Sequence, residues 1–357
     1  MYVSRHKLLP LLASLLLVSL GIAGCGEAPG TSNTGSSSSA GAMKLNVGQI
    51  SDSIAFFPFY VAERQGYFKD EGLTLGDRPR LGTGAKLAAA LSAGSIDIAG
   101  GVITDAFNLA RVNSSVKLIG SLVNGYYVDI TASKRFEQAA HVTKESTLAA
   151  KVKALRGKKI GITGPGSGTE ALVIYLFKQQ GMDAKRDAEL VNLGSNNSAA
   201  LAALRTGQVD ALAFFSPVGQ AAVVEGIGDI LISPVRGDIP AMAGATHGVI
   251  FTRQGVIDAK PKAVQAFVRA VARAEKLIHD QPEQARDLLK SYLKNLDPRT
   301  TEAVLTDLKP ALPQTPEITR QGYAVAAHFH EQAGLIKQAP AYNDLVDSKI
   351  INGALNG

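Results

Sequence analysis

The sequence is poor in the residues that most often build metal centres and covalent chemistry. Its 357 residues include one cysteine, Cys25, and six histidines. A lone cysteine excludes an internal disulfide and a cysteine-rich zinc site. His328 and His330 are the closest pair of histidines. They are two residues apart, so on a helix their side chains would point to different sides. We therefore expect neither a metal nor a cofactor.

Concentrated positive charge and long apolar runs are also missing from most of the chain. The formal net charge is +6, and no cluster of Lys and Arg forms a footprint for nucleic acid. After the first 25 residues, no apolar stretch is long enough to cross a bilayer. A nucleic-acid partner is not expected.

The N-terminus has the pattern of an export signal. Arg5 and Lys7 precede an apolar run from Leu8 to Leu20, and small residues lead into Cys25. The ending Ile-Ala-Gly-Cys resembles the lipobox of bacterial lipoproteins, which implies cleavage after residue 24 and lipid on Cys25. Removal of 1–24 takes away two basic residues and lowers the net charge from +6 to +4. An ordinary secretory signal with an incidental cysteine is the alternative.

The next segment, 25–42, is predicted to be a flexible linker. Gly26 to Ala42 is mostly Gly, Ser, Ala and Thr and cannot bury apolar surface. Such a coil has a root-mean-square reach of roughly 20–25 Å. We expect it to hold a folded body near a membrane surface.

Alternating strand and helix patterns predict an α/β fold. The folded part is longer than a chain that usually forms a single hydrophobic core, so we expect two lobes. Strands are predicted at 44–50, 73–81, 96–99, 159–162 and 189–193, and helices at 58–66, 84–94, 167–180 and 199–205. Residues 116–133 and 245–253 are predicted to cross between lobes. The predicted divisions are 43–125 for the first part of lobe 1, 126–245 for lobe 2, and 246–357 for the return to lobe 1 with C-terminal helices.

Two local matches indicate an internal repeat. Leu91–Asp97 aligns with Leu204–Asp210 at an offset of 113, and Gly66 matches Gly181 at an offset of 115. Chance similarity between Ala-rich segments is the alternative. After residue 255 the pattern is helical, with an apolar stripe of Val264, Phe267, Val268, Val271, Leu277 and Ile278. Further helices are predicted near 283–294, 299–308, 316–334 and 339–348.

A longer motif carries a resemblance to a known family. The segment SDSIAFFPFYVAERQGYFKDEGL, residues 51–73, resembles the N-terminal signature of nitrate, sulfonate and taurine-type substrate-binding proteins of ABC transporters. The A-L-x-x-G-x-x-D pattern of both halves, the stretch 164–169 and the helix start at 260–267 also match. These proteins are similar to type II periplasmic binding proteins and to binders of a thiamine pyrimidine precursor.

The resemblance implies a two-lobed α/β fold with two crossing strands and a helical C-terminal part. It also implies a monomeric, exported lipoprotein that faces the periplasm or the cell exterior. Such a protein binds a small organic, sulfonate-like ligand between the lobes and delivers it to an ABC permease. No reaction is expected, since the chain lacks the G-x-S-x-G and P-loop patterns.

The candidate ligand contacts lie in loops and helix starts of both halves. Helix N-termini offer unpaired N–H groups, and the resemblance places the loop after the first strand in the cleft. The candidates are Ser53, Ile54, Phe56, Phe57, Thr83, Thr104, Asp105, Ser167, Gly168, Thr169, Asn196, Phe215, Ser216 and His247.

Structural roles compete with ligand contact at several of these positions. Ser167 and Glu170 form a capping-box pattern, Asp105 is suited either to an amine or to a helix cap, and His247 is suited either to the cleft or to a hinge.

Two other functions stay open. A pyrimidine precursor or an aromatic acid suits the same fold, although the related pyrimidine-building enzymes depend on a cysteine-rich motif that is absent here. A ligand-sensing module for a membrane signalling partner is the second alternative.

Overall fold

The computed structural model describes residues 43–356. The predicted signal peptide (1–24), the lipidation site Cys25 and the linker (25–42) lie outside the described residues. Within this part of the chain, no helix combines the length and apolar character needed to span a membrane.

The strands follow the chain in order as β1 Met43–Leu45, β2 Val47–Gln49, β3 Leu73–Leu75, β4 Ile98–Val102, β5 Val116–Val123, β6 Val128–Ser133, β7 Lys159–Ile162, β8 Glu189–Asn192, β9 Ala211–Phe215, β10 Gly228–Ile232 and β11 Gly248–Arg253. The helices up to β11 are α1 Phe57–Arg64, α2 Tyr67–Asp70, α3 Gly84–Ala93, α4 Ile103–Ala110, α5 Lys134–Ala140, α6 Leu148–Ala154, α7 Gly168–Gln179, α8 Ala184–Asp187, α9 Asn197–Thr206 and α10 Val218–Val224. The C-terminal helices are α11 Gln254–Ala259, α12 Pro261–Asp280, α13 Pro282–Tyr292, α14 Pro298–Leu308, α15 Arg320–Ala333, α16 Tyr342–Leu345 and α17 Ser348–Leu355.

Two mixed sheets organise the fold. The first sheet has the order β2-β4-β11-β5, and the second has the order β10-β6-β9-β7-β8. A small parallel pair, β1 and β3, stands beside them. The chain passes from the first sheet to the second between β5 and β6 and returns between β10 and β11. The predicted α/β fold with two crossing strands is confirmed.

The internal offset of 113 reappears in the structure. Val47 pairs with Ile98 in the first sheet, and Ile160 pairs with Ala211 in the second. Each residue of the second pair lies 113 positions after its counterpart in the first pair. The helices before these paired strands, α3 and α9, both end at a glycine in the left-handed region, where a side chain would be strained. The two halves are therefore built on one pattern.

A pair of aspartates repeats the same relation. Asp97 accepts a hydrogen bond from the backbone N–H of Asn46 at 2.8 Å, and Asp210 accepts one from Lys159 N at 3.0 Å. Each carboxylate thus ties the turn before one central strand to the start of its neighbour. Lys260 adds an ion pair at 3.0 Å to Asp97.

Some elements differ from the sequence-based prediction. The predicted strand 73–81 is only β3, because Gly76 and Pro79 interrupt it and proline donates no ladder hydrogen bond. The predicted helix 316–334 begins at Arg320, and 339–348 contains the short α16 and the start of α17. The predicted apolar stripe of α12 is confirmed, since all of its six residues are buried.

The C-terminal helices pack on both halves. Helix α12 packs on α1 and α17, whereas α14 packs on α10 and α15 packs on α7. The backbone of Asn124, just after β5, donates to Ala311 O at 2.7 Å. The C-terminal segment therefore supports the first crossing as well as the outer faces of the sheets.

Candidate functional site

A cavity of about 260 Å³ lies between the two sheets, and we call it the deep cavity. One wall comes from the first half and the other from the second half. The first wall consists of Ile50, Gly82, Thr83, Gly84, Ala85, Ala88, Val102, Asp105 and Asn108. The second consists of Thr163, Gly164, Pro165, Gly166, Ser167, Gly168, Asn192 and Phe215.

The start of α7 builds the second wall through a network of hydroxyl groups. Ser167 Oγ accepts from Glu170 N at 3.2 Å and donates to Gly164 O at 2.6 Å. Thr169 Oγ1 accepts from Thr163 N at 2.9 Å. Glu170 Oε2 accepts from Gly166 N at 2.6 Å. The predicted capping box therefore forms, except that Glu170 binds the N–H of Gly166 and not that of the capping residue Ser167. This network fixes the loop between β7 and α7.

Asp105 is the one ionisable side chain among the residues that line the deep cavity. Its side chain is 6% exposed, and its Oδ2 accepts from Val102 N at 3.0 Å. Burial raises the pKa of Asp105 to about 7, and the hydrogen bond from Val102 offsets part of that rise. The residue therefore caps α4 and also faces the cavity, so both of its predicted roles fit the geometry.

Gly84 lets this carboxyl group approach the start of α3. A Cβ atom added at Gly84 would lie 1.7 Å from Asp105 Oδ1 and 2.3 Å from its Cγ. Only a residue without a side chain fits there. The start of a helix carries a partial positive charge, which favours a carboxylate beside it.

An aromatic and histidine cluster lies behind the cavity. Phe215 lines the cavity, and its ring centroid is 5.2 Å from that of Tyr127 and 5.9 Å from that of His247. His247 is fully buried, stacks on Tyr126 with 3.8 Å between ring centroids, and accepts from Tyr127 N at 3.3 Å. Burial, with a smaller contribution from His330, holds the pKa of His247 well below its usual value.

His330 joins the same cluster from α15. Its Nδ1 lies 2.7 Å from Ala326 O and donates to that carbonyl, so Nε2 accepts from Thr104 Oγ1 at 2.6 Å. Burial lowers the pKa of His330 to about 4. Both imidazoles are therefore neutral at neutral pH.

An outer groove of about 670 Å³ adjoins the deep cavity through Ile50, Gly82 and Thr83. It is lined by charged and amide side chains, including Lys86, the Arg80–Asp52 ion pair at 2.8 Å, and Asn196. Thr83 and Asn196 cap α3 and α9 and accept from Lys86 N and Ala199 N. The starts of the two repeat-related helices thus border one groove.

The structure brings some predicted site residues to these spaces and leaves others in the core. Thr83, Asp105, Ser167, Gly168 and Phe215 line the deep cavity, and Thr83 and Asn196 line the outer groove. The remaining candidates are buried and line neither space: Ser53, Ile54, Phe56, Phe57, Thr104, Thr169, Ser216 and His247.

Packing accounts for the loop after β2. Residues Ile54–Phe56 form a 3-10 turn that buries their side chains. Phe56 packs against Phe59 with 6.2 Å between ring centroids, and Phe57 packs against Tyr292 at 5.7 Å. Tyr292 also donates to Ser53 O at 3.0 Å. Helix α13, distant in sequence, covers this loop.

Sequence reasoning missed three polar residues that line the deep cavity, Asn108, Thr163 and Asn192. Asn192 ends β8, and the carboxyl ends of parallel strands are where α/β sheets bind ligands. Asn108 lies three residues after Asp105, on the same face of α4. It donates to Gly166 O at 2.9 Å and so connects the two walls.

In residues 43–356, no group of three or more His, Cys, Asp or Glu side chains is arranged to hold a metal ion. The lining of the deep cavity instead combines a mostly apolar surface with a few hydroxyl, amide and backbone polar groups. Such an arrangement suits the binding of a small polar organic molecule.

Comparison with solved structures identifies the fold class. Two crossed α/β halves around a cavity are the architecture of periplasmic binding proteins. The alkanesulfonate-binding protein SsuA of Xanthomonas axonopodis pv. citri, bound to MOPS, has a TM-score of 0.67 at 20% identity, covering 85% of this chain and 98% of that chain. The nitrate-binding protein NrtA of Synechocystis PCC 6803 has a TM-score of 0.67 at 14% identity, covering 88% and 89%.

The sequence comparisons then give the family. A model described as the NMT1-like family matches residues 40–292, well over half of the chain. The chain belongs to the NMT1-like family. It is also similar to the putative binding protein YtlA of Bacillus subtilis, with 22% identity over 313 residues, covering 86% of this chain and 88% of YtlA.

Proposed function

We propose that this protein is the solute-binding component of an ABC importer. It captures a small organic molecule in the deep cavity and presents it to a permease, without chemical conversion. The observation that carries the proposal is a cavity of about 260 Å³ whose two walls come from the two sheets. A ligand placed there contacts both halves at once and so favours their closed arrangement.

The relatives support this assignment by what their names say. SsuA is named for alkanesulfonates and NrtA for nitrate, and both are described as binding proteins rather than enzymes. A sulfonate-like organic solute is therefore the first class to test. An anionic group fits the outer groove, where Lys86 and the N-terminal starts of α3 and α9 supply positive potential.

We further propose that the domain division predicted from sequence applies, with 43–125 as the first part of lobe 1, 126–245 as lobe 2, and 246–357 as the return to lobe 1 plus the C-terminal helices, of which α14 and α15 pack on lobe 2. The exported protein acts as a monomer, held by lipid on Cys25 and the 25–42 linker. The pattern of residues 1–25 supports the anchor. Metabolic labelling with a radioactive fatty acid tests it: label should appear in the wild type and be lost in Cys25→Ser.

Thermal unfolding with a ligand panel tests solute binding. The panel contains aliphatic sulfonates, nitrate, bicarbonate, pyrimidines and aromatic acids. A ligand at 100 times its dissociation constant stabilises the folded protein by about 2.7 kcal/mol. Failure of the sulfonates alone would redirect the search to another class, whereas failure of every class would contradict solute binding.

The aromatic wall favours a second candidate ligand. Phe215 lines the cavity and contacts the rings of Tyr127 and His247, so a flat ring finds a stacking surface there. A pyrimidine precursor or an aromatic acid would use it. The Phe215→Leu variant should weaken an aromatic ligand more than an aliphatic sulfonate, which titration calorimetry can measure.

A further inference from the structure

The charge of the deep cavity narrows the class of ligand, and this inference rests on the proposed solute-binding function. Asp105 is the sole ionisable residue of the lining, and the other polar groups there are neutral hydroxyls, amides and backbone atoms. In the described chain, no cationic side chain borders this space. An anionic group pushed to the bottom of the cavity would meet a carboxylate without a cation to compensate it.

Among the described residues, one oxygen of Asp105 has no hydrogen-bond partner. Val102 N–H donates to Oδ2, and within residues 43–356 no hydrogen bond reaches Oδ1. The side chain is 6% exposed, and the carboxyl group rests against Gly84 at the edge of the cavity. Oδ1 therefore keeps hydrogen-bonding capacity at the edge of the cavity, which a donor on a bound ligand would use.

The neighbouring acidic and basic groups do not fill this role. Glu170, behind the start of α7, accepts from Gly166 N and lies 3.8 Å from Lys185. His247 is buried behind Gly168 and is neutral. Lys86 and Arg80 border the outer groove and not the deep cavity. The cationic side chains therefore border the outer groove, whereas the carboxyl group of Asp105 borders the deep cavity.

We propose that the solute buries a protonated nitrogen, such as an amine or amidine, against Asp105, with any anionic group directed to the outer groove. Asp105 is then a specificity-determining residue, because it selects the buried end of the ligand. The role in capping α4 is compatible with this, since it uses the other carboxylate oxygen.

Three probes with one carbon frame separate the possible charges: benzylamine, benzyl alcohol and phenylmethanesulfonate. We expect the wild-type protein at pH 8 to bind benzylamine at least tenfold more tightly than phenylmethanesulfonate in titration calorimetry. The Asp105→Asn variant keeps an acceptor for Val102 N but presents no negative charge. It should lose at least tenfold in benzylamine affinity, with little change for benzyl alcohol.

Asp129→Asn is the matched control. Asp129 is also buried, and burial likewise raises its pKa to about 7, but it lies in β6 and lines neither the deep cavity nor the outer groove. This variant should keep the wild-type ranking of the probes. Benzylamine affinity should also rise between pH 6 and pH 8 in the wild type and in Asp129→Asn, and stay flat in Asp105→Asn. Circular dichroism and thermal unfolding establish that each variant is folded.

The outcomes distinguish this inference from the proposed function. Tighter binding of phenylmethanesulfonate than benzylamine, or an unchanged ranking in Asp105→Asn, would overturn the role of Asp105. Stabilisation by members of the wider panel with no binding of benzylamine would overturn it too, while solute binding would stand. If neither the panel nor the probes bind, both proposals are wrong.

Discussion

The absence of a side chain at Gly84 allows the carboxyl group of Asp105 to lie against the start of α3. A methyl group at this position would lie 1.7 Å from Asp105 Oδ1, so Gly84→Ala must displace that carboxyl group. We expect the variant to lower the melting temperature by several degrees, as a steric cost of about 1–3 kcal/mol implies, and to weaken ligand-induced stabilisation. Thermal unfolding with and without the ligand found by the panel measures both effects.

Gly255→Ala is the control for this substitution. Gly255 also lies in the first turn of a helix, α11, and an added Cβ there meets no atom within 4 Å. Alanine favours helix more than glycine does, so this variant should be neutral or slightly stabilising. Equal behaviour of the two variants would mean that the contact between Gly84 and Asp105 does not constrain the site.

His330 provides a test of the neutral histidine cluster through pH. Its pKa in the folded protein is about 4, below the usual value of 6.5. The unfolded chain therefore takes up a proton first as pH falls, and the stability that the neutral form contributes is lost between pH 6.5 and pH 4. At 1.36 kcal/mol per pKa unit, the loss is about 3 kcal/mol.

The His330→Gln variant should remove this part of the pH dependence, because glutamine does not titrate and its carbonyl can still accept from Thr104. Urea unfolding at pH 7, 6, 5 and 4 gives the comparison. His328→Gln is the control, since His328 is exposed on the same helix. An equally steep loss of stability in His330→Gln and in the wild type would contradict the assignment.

Sequence patterns indicate a residue's structural role where local chemistry decides it, and they do not reveal roles that distant packing decides. Ser167, Thr83 and Asn196 cap their helices as their positions before helical patterns indicate. The loop at 53–57 shows the opposite case, because Tyr292 of α13 covers it and no local pattern reveals a contact from more than 200 residues away. The sequence could not show that Asp105 is able to cap α4 and contact a ligand at the same time, because this depends on which carboxylate oxygen binds Val102 N.

The repeated strand–helix units explain why the fold could be predicted. The A-L-x-x-G-x-x-D pattern contains a helix end, a left-handed glycine and an aspartate that binds the neighbouring strand, so each residue has a local reason to be there. The pairing order of the sheets could not be read in the same way. The strand-like segments 116–133 and 245–253 indicated where the chain crosses, but not that β6 and β11 pair antiparallel with their neighbours.

The two aspartates of this repeat should differ in their contribution to stability. Asp97 is buried, binds Asn46 N and pairs with Lys260, whereas Asp210 is half-buried and binds Lys159 N. We expect Asp97→Ala to lower the free energy of unfolding by about 2–3 kcal/mol and Asp210→Ala by about 1 kcal/mol. Urea unfolding measures both, and a larger loss for Asp210→Ala would contradict the order.

Closure of the two halves is the property on which solute capture depends. The wall residues Asn108 and Gly166 belong to opposite halves and are joined by a hydrogen bond of 2.9 Å from Asn108 Nδ2 to the Gly166 carbonyl. Because this bond exists only when the walls meet, its loss should favour the open arrangement. A net contribution of about 1 kcal/mol corresponds to roughly a fivefold change in the ratio of closed to open molecules.

Small-angle scattering of the ligand-free protein can detect this shift without reference to ligand contacts. Asn108→Leu keeps the side-chain volume but removes the donor, so we expect a larger radius of gyration than in the wild type. Asn343→Leu is the control, since Asn343 lies on the surface of α16 and accepts only from Arg320 among the described residues. Saturating ligand should return Asn108→Leu toward the compact form, because ligand contacts on both walls add to the closed state. If Asn108→Leu and the wild type scatter identically without ligand, this hydrogen bond does not govern closure.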